Sequence, residues 1–275
     1  MRQDIVPDPR RVGELYDQID NKGVLHFGYW DSLDDDTPLE QAADRLTDVV
    51  AEKLELAPGA SLLDVGCGLG VPAVRIAARA EVGIVGITVS AEQVRRAGEL
   101  ATAARLGDRV RFQVTDAMAM PFADGSFDAA FALESLIHMD RRAALREIAR
   151  VVRPGGRIVL TDLYDRTGGT AGEDSMIHVL ARLWLMSPLI CRNDYLSLAA
   201  GAGLEVVEVL DVSENVLWKT LQQLGERMSA GDRSLVPDVV VDGLDDQRRA
   251  EMTTAPAVLG GERDIGCLLV TLRRP

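Results

Sequence analysis

Residues 61–70, with the sequence SLLDVGCGLG, decide the fold of this chain. Residues 62–65 form an apolar run interrupted only by Asp64, which is typical of a buried strand. Three glycines then stand at alternate positions: Gly66, Gly68 and Gly70. Residues 71–80 follow with apolar side chains at helical spacing. A strand, a glycine loop and a helix in this order present backbone N–H groups to a ligand above the edge of a parallel sheet.

The glycine spacing does not match the strict dinucleotide-binding pattern. Counted from Gly66, the third glycine would fall at position 71, which is Val71. A relaxed version of this pattern, which starts at Gly68, does fit the sequence. A dinucleotide fold also places an acid at the end of the second strand, about 20 residues further on, where this chain reads GITVS at residues 86–90. The pattern therefore disfavours a nicotinamide cofactor.

Further motifs follow the glycine loop in the order and spacing of one enzyme family. They are TDA at 115–117, MPF at 120–122, SFD at 126–128 and RPGG at 153–156. With D-x-G-C-G-x-G, they make the chain resemble the class I S-adenosylmethionine (SAM)-dependent methyltransferases. LHFGYW at 25–30 and ALES at 132–135 narrow the resemblance to sugar and natural-product O-methyltransferases of actinomycete antibiotic pathways. Tocopherol and sterol C-methyltransferases are more distant relatives. The resemblance covers nearly the whole chain, most strongly residues 10–165, and implies SAM as cofactor and S-adenosylhomocysteine as product.

The length of 275 residues suits one α/β domain with an elaboration. The resemblance implies a Rossmann-like sheet of seven strands whose last pair is antiparallel. We divide the chain into an N-terminal helical cap and lid, a SAM-binding core, a helical insertion after the fifth strand, and C-terminal strands with a helix: residues 1–56, 57–165, 166–203 and 204–275. Three local patterns predict helix caps: a capping box at residues 37–40 (TPLE), Ser90 with Gln93 at the helix after the second strand, and Asn193-Asp194 before a later helix.

The net charge of −13, without a Lys/Arg cluster longer than a pair, disfavours nucleic acid and anionic membranes as partners. The N-terminal residues have no apolar core, so we expect no secretory signal. The cysteines are odd in number and dispersed, which suits a reducing cytoplasm: Cys67, Cys191 and Cys267. The histidines are scattered too, and we predict no metal site. We expect a small-molecule acceptor as partner, and a homo-oligomer stays open.

Three predicted strands end in acidic residues, at the edge where open parallel sheets bind ligands. Asp116, Glu134 and Asp162 stand at these ends. One such acid is often only a helix cap, but several together indicate a site. The expected cofactor contacts are Tyr16, Tyr29, Asp64, Gly66, Gly68, Ser90, Gln93, Asp116, Ala117 and Glu134. In the family that this chain resembles, the segment that corresponds to Tyr16 and Tyr29 covers SAM. The alternative is that these aromatic side chains only anchor a loop to the domain. Asp116 is expected to accept a hydrogen bond from the adenine amino group. Gln93 is expected to face the ribose, with a plain helix cap as the alternative.

Residues 175–191, SMIHVLARLWLMSPLIC, are the most apolar stretch, yet they are too short to span a bilayer. A plain buried helix is one interpretation of this stretch. Because it follows the fifth strand, we expect it to cover the acceptor pocket with apolar surface, through Met176, Leu180 and Trp184. His26 is assigned to the same substrate side. This composition predicts a bulky, partly apolar acceptor.

His138, four residues after Glu134, is the candidate general base for a hydroxyl acceptor, because its ordinary pKa is near 6.5. We therefore expect activity to rise with pH through that range. Asp162 is expected to orient His138 or the acceptor. Resembling sugar O-methyltransferases often carry two adjacent histidines here, whereas this chain has Ile137-His138. The main prediction is O-methylation. The alternatives are C- or N-methylation of an aromatic or terpenoid acceptor, and a SAM-binding cyclase or accessory protein without methyl transfer.

Overall fold

The computed structural model describes residues 6–18, 25–170, 178, 181–182, 184–230 and 264–275. Seven strands form one sheet in the order β3-β2-β1-β4-β5-β7-β6. They are β1 (Ser61–Val65), β2 (Gly83–Thr88), β3 (Val110–Val114), β4 (Ala129–Leu133), β5 (Arg157–Asp165), β6 (Glu205–Asp211) and β7 (Ile265–Arg273). Strands β1 to β5 pair in parallel, and β7 runs antiparallel to both β5 and β6. The predicted α/β fold with an antiparallel final pair is confirmed.

Helices precede and connect these strands. They are α1 (Pro9–Asp17), α2 (Leu39–Leu54), α3 (Val71–Arg79), α4 (Ala91–Ala103), α5 (Arg141–Val151), α6 (Arg192–Gly201) and α7 (Lys219–Ser229). A 3-10 turn, Leu136–His138, follows β4, and a π-helical segment, Ser213–Trp218, leads into α7. Within the described ranges, no helix has both the length and the apolar character required to cross a membrane.

Neighbouring residues of the central strands face opposite layers of helices, as expected for a parallel sheet that is covered on both sides. Leu62 packs in one core cluster with Leu46 of α2 and Ile76 of α3. Leu63, the next residue, packs in a second cluster with Leu145 of α5 and Tyr195 of α6. The two apolar layers therefore fix which side of each strand faces which helices.

The strand order reverses at β1. The chain moves outward from β1 to β2 and β3, and then returns to the other side of β1 to form β4. Helices that leave β1 and β4 therefore diverge, and a crevice opens between the carboxyl ends of these strands. This point is where open α/β sheets bind their ligands.

Two of the three predicted helix caps are wrong. The first residue of α2 is Leu39, its N-cap is Pro38, and no side chain caps it. The Thr37 hydroxyl instead donates to Asp35 at 2.6 Å. Helix α6 begins at Arg192, two residues before Asp194, and it also lacks a side-chain cap.

A fully buried ion pair joins the sheet to the helices of the second layer. Asp162 of β5 accepts from Arg141 Nε at 2.7 Å and from the Tyr195 hydroxyl at 3.1 Å. The side chain of Asp162 is 0% exposed and that of Arg141 is 4% exposed. Arg141 Nη1 also donates to the Pro188 carbonyl at 3.1 Å. Since a buried charge is stable only with partners, β5, α5 and α6 are held in one arrangement.

Asp162→Asn should lower the free energy of unfolding by about 3–5 kcal/mol, because Arg141 would remain buried without its counter-charge. Urea denaturation measures this loss. Glu205→Gln is the matched control: its partner is Arg273, and both side chains are 49% exposed. We expect that control to change stability by less than about 1 kcal/mol. Equal, small losses in the two variants would contradict the assignment.

Candidate active site

A cavity of about 1010 Å³, including its opening to solvent, lies at the carboxyl ends of β1 to β4. Helix α1 borders it with Pro9, Val12, Gly13 and Tyr16. The sheet edge contributes Asp64, Gly66, Cys67, Gly68, Thr88, Gln93, Thr115, Asp116, Ala117, Glu134, Ser135 and His138. The cavity thus occupies the topological switch point of the sheet.

The glycine loop turns the chain sharply beneath the cavity. Gly66 and Gly68 have φ angles of +79° and +52°, in the left-handed region that favours glycine. The N–H groups of Gly66 and Cys67 both donate to the Ile87 carbonyl at 2.9 Å, which ties the loop to β2. A Cβ on Gly66 would overlap the side chain of Ser135, whereas one on Gly68 would meet only Leu25 Cδ1, at 3.1 Å. Gly66 therefore serves packing, and Gly68 keeps the cavity floor open.

Asp64 places an unpaired carboxylate oxygen at the cavity. The residue is 2% exposed, and its Oδ2 has no hydrogen-bond partner among the described residues. Burial raises the pKa of this carboxyl well above its usual value. An unsatisfied buried polar atom is costly in a folded protein. Asp64 Oδ2 is therefore available to pair with a bound molecule at the cavity.

Glu134 is held in a strained conformation at the end of β4. Its φ is +45°, which is uncommon outside glycine and is found at functional sites. One carboxylate oxygen accepts from the Phe27 N–H at 2.9 Å, and the other accepts from the Thr161 hydroxyl. Burial raises the pKa of Glu134 to about 7. The group is therefore poised to change its charge near neutral pH.

After β2, where a dinucleotide-binding fold has an acid, this chain has the amide of Gln93, which lies in α4. Gln93 lines the cavity, and its Oε1 accepts from the Thr88 hydroxyl at 2.5 Å. Ser90 caps α4 by accepting from the Gln93 N–H at 3.0 Å, as predicted. However, Ser90 does not line the cavity, and its hydroxyl donates to Asp17 of α1. The geometry does not support the predicted cofactor contact of Ser90.

Asp116 and Ala117 follow β3 and line the cavity. In the strand order, β3 is separated by β2 from β1 and β4, which carry Asp64 and Glu134. Asp116 Oδ1 accepts from the Met118 N–H at 2.8 Å, which fixes the orientation of the carboxylate. Asp116 is partly exposed and available to a ligand at the cavity wall.

His138 has a defined tautomer. Its Nδ1 lies 3.0 Å from the Leu185 carbonyl, which can only accept, so Nδ1 carries the proton. Nε2 then has a lone pair that accepts from the Tyr16 hydroxyl at 2.8 Å. Burial lowers the pKa of His138 to about 4, so the ring is neutral at pH 7. Burial also raises the pKa of Tyr16. The pair therefore presents a neutral imidazole and a neutral phenol to the cavity.

The described part of the insertion after β5 holds the His138 ring in place through a backbone carbonyl. Leu185, which supplies the carbonyl, has a φ of +51°. Ser187 N–H donates to the Ile137 carbonyl at 2.6 Å. The Trp184 ring packs against Tyr16 with a centroid distance of 6.1 Å, but Trp184 does not line the cavity. Met176 and Leu180, the other two predicted acceptor contacts, lie outside the described residues.

The geometry contradicts two further predicted roles. Asp162 lies behind the site, where Arg141 and Tyr195 hold its carboxylate, and it neither lines the cavity nor hydrogen-bonds to His138. The Leu185 carbonyl orients His138 in its place. Tyr29 packs against the core and does not line the cavity.

His26 lines the cavity, but its ring is satisfied internally, with Nδ1 2.9 Å from the Phe27 carbonyl and Nε2 3.4 Å from Thr47 Oγ1. Burial lowers the pKa of His26 to about 4. These bonds favour a structural role for His26.

Sequence reasoning missed two hydroxyls that build the site. The Ser135 hydroxyl donates to the Val65 carbonyl and joins the ends of β1 and β4. Thr161 holds Glu134 from the neighbouring strand. A polar residue inside an otherwise apolar strand was the only signal for Thr161. In the described part of the chain, no group of three His, Cys, Asp or Glu side chains is arranged to hold a metal ion.

The chain matches the family described as "Methyltransferase domain" over residues 63–160. It is 40% identical to the O-methyltransferase rstn1 of Aspergillus nomiae, over 76% of this chain and 95% of that protein. It is also 40% identical to the 27-O-demethylrifamycin SV methyltransferase of Amycolatopsis mediterranei, over 76% of this chain and 78% of that protein. Among solved structures, the [4+2]-cyclase SpnF has a TM-score of 0.82 and 33% identity, and 98% of each chain is covered.

Gly68→Ala should greatly weaken SAM binding in a protein that still folds, because the added methyl group enters the floor of the cavity. Gly59→Ala is the matched control. Gly59 also has a positive φ, of +81°, but a Cβ there would meet nothing within 4 Å, so this change also places an alanine at a positive φ without the obstruction. Calorimetric titration with SAM compares the two. Equal SAM affinities would show that the ligand does not approach the loop at Gly68.

Proposed function

We propose that this chain, which belongs to the SAM-dependent methyltransferases, transfers a methyl group to a hydroxyl of a bulky, partly apolar natural-product molecule. The observation that carries the proposal is the neutral Nε2 of His138, held at the cavity by the Leu185 carbonyl. The names of the two relatives, both O-methyltransferases, agree with a hydroxyl acceptor.

The residues of the cavity fit SAM. Asp64 Oδ2 lacks a donor, which the ammonium group of SAM can supply. Glu134 adds a second buried carboxyl for the positive end of the molecule, Gln93 offers an amide to the ribose, and Asp116 can accept from the adenine amino group. When bound, SAM supplies a methyl group on a positively charged sulfur, which is electrophilic without further activation. The protein therefore has to position the acceptor and remove its proton.

His138 is the proposed base. Its Nε2 lone pair lies in the ring plane and accepts one hydrogen bond at a time, now from Tyr16. An acceptor hydroxyl can replace the Tyr16 hydroxyl or bond to its oxygen, and in either arrangement the proton ends on Nε2. The resulting imidazolium keeps its Nδ1–H bond to the Leu185 carbonyl, which stabilises the new charge.

The apolar part of the cavity supports a bulky acceptor. Beside the polar groups, the lining contains Pro9, Val12, Leu25, Leu133, Met118 and Met139. Pockets of this kind bury apolar ligand surface and leave orientation to a few polar groups. Trp184 contributes indirectly, because it packs against Tyr16 rather than against the cavity.

A second candidate function is cyclisation without methyl transfer. Its support is the cyclase SpnF, whose structure matches this chain over 98% of each chain. The replacement of a histidine by the buried Ile137 also removes one basic group that resembling O-methyltransferases carry. C- or N-methylation would likewise need less of a base than O-methylation.

His138→Ala should lower kcat by about 10²–10⁴ while SAM affinity is preserved, because the variant loses only the base. Since the pKa of His138 is about 4, wild-type kcat should be flat from pH 5.5 to 8 and fall only under more acidic conditions, where Nε2 is protonated. This corrects the expectation of a rise near pH 6.5. Release of S-adenosylhomocysteine in single turnovers, at saturating SAM and acceptor, measures both effects. Near-wild-type rates in the variant would favour C-methylation, and product formation without that release would favour cyclisation.

A further inference from the structure

Among the described residues, the charged side chains that line the cavity are all acidic. Asp64, Asp116 and Glu134 line it, and no lysine or arginine in the described part of the chain does. Its two histidines are both neutral at pH 7, because burial lowers their pKa to about 4. The protein itself therefore supplies no positive charge at the cavity wall to balance the buried carboxyl groups.

Glu134 is the carboxyl group most affected by this imbalance. The titratable groups that face it are Asp162 on β5, Tyr16 on α1 and Cys267 on β7, and none of them is a cation. Arg141 is a buried cation, but it pairs with the Asp162 carboxylate rather than with Glu134. Burial is the main cause that raises the pKa of Glu134 to about 7, and Asp162 adds to it. Near neutral pH the carboxyl group is therefore only partly ionised.

The substrate and product forms of the cofactor differ in charge at the sulfur. SAM carries a sulfonium, an ammonium and a carboxylate group, whereas S-adenosylhomocysteine carries only the last two. A cation beside a buried carboxyl group favours its ionised form, and a neutral thioether does not. The same cavity therefore meets a net positive ligand before the reaction and a neutral one after it.

We propose that Glu134 is a specificity-determining residue that distinguishes SAM from S-adenosylhomocysteine: it releases its proton to solvent when SAM binds and retains it when the product binds. The carboxyl O–H bond is the only one broken, and it reforms after the sulfur has lost its charge. The inference rests on the proposed placement of SAM in this cavity, with the sulfonium beside Glu134 and the ammonium group, which both ligands carry, at Asp64.

Ionisation of Glu134 also strengthens its hydrogen bond to a segment that lines the cavity. The Phe27 N–H donates to one carboxylate oxygen, and Leu25 and His26, the two residues before it, line the cavity. Hydrogen bonds to an ionised acceptor are roughly twice as strong as neutral ones. SAM binding therefore tightens residues 25–27 over the site, and the neutral product leaves this bond weaker.

Calorimetric titration of the wild-type protein at pH 7 in phosphate, imidazole and Tris buffers tests the inference, because the buffer dependence of the heat counts released protons. We expect SAM to release about half a proton more than S-adenosylhomocysteine, since Glu134 is about half ionised at pH 7 before SAM binds. Sinefungin, whose amine replaces the sulfonium, should show the same excess without any reaction. Any proton that the shared ammonium group displaces from Asp64 is released by all three ligands and cancels in this difference. SAM affinity should also fall by up to about tenfold per pH unit below 7.

Glu134→Gln keeps an oxygen for the Phe27 N–H and removes the charge. We expect this variant to lose the excess proton release of SAM over S-adenosylhomocysteine and to bind SAM at least about tenfold more weakly, with little change for S-adenosylhomocysteine. Glu99→Gln is the matched control, because it removes an equal charge from the exposed surface of α4 and should change neither quantity.

The outcomes separate the inference from the function on which it rests. Tight SAM binding with equal proton release by SAM and S-adenosylhomocysteine in every buffer would overturn the inference and leave the methyltransferase proposal intact. A difference in release between the two ligands that persists in Glu134→Gln would assign the proton to another group and would also overturn it. Failure of SAM to bind the wild-type cavity would defeat the proposed placement itself. If Glu134→Gln does not fold, the pH dependence of SAM affinity in the wild-type protein still tests the inference.

Discussion

The backbone turn at the end of β1 is the constraint on which the rest of the site depends. Two consecutive N–H groups, those of Gly66 and Cys67, share the Ile87 carbonyl, and this requires a positive φ at Gly66. A side chain there would overlap Ser135, so the turn also sets how closely β4 can approach β1. The cavity exists because the chain turns at this point without filling the space above it.

The sequence predicted the fold well where the signal was local. Alternating glycines, apolar strands and polar strand ends identified the parallel strands and most of the cavity edge, whereas the antiparallel final pair was expected from the family resemblance. These features follow from short patterns with one physical solution. The cap at Ser90 was predicted correctly, whereas the Thr37 hydroxyl donates to Asp35 instead, and α6 begins one residue before Asn193, so that Asn193 and Asp194 lie inside the helix.

The site was harder to predict than the fold, because its electrostatics depend on pairings between distant segments. Asp162 has the position of a catalytic acid in the sequence, yet Arg141 and Tyr195 bind it in the core. His138 lies at the cavity as predicted, but its tautomer is set by Leu185, 47 residues away. Its lowered pKa follows from burial, which no residue pattern reveals. Tyr29 and Trp184 pack beside the site rather than in it.

The central claim is that SAM lies over the glycine loop with its positive end between Asp64 and Glu134. A crystal structure of the protein with bound sinefungin tests it most directly. The account predicts a nitrogen of the ligand within hydrogen-bond distance of Asp64 Oδ2, the buried oxygen that has no partner in the described residues. A ligand bound elsewhere, or one that leaves Asp64 Oδ2 unpaired, would contradict the account.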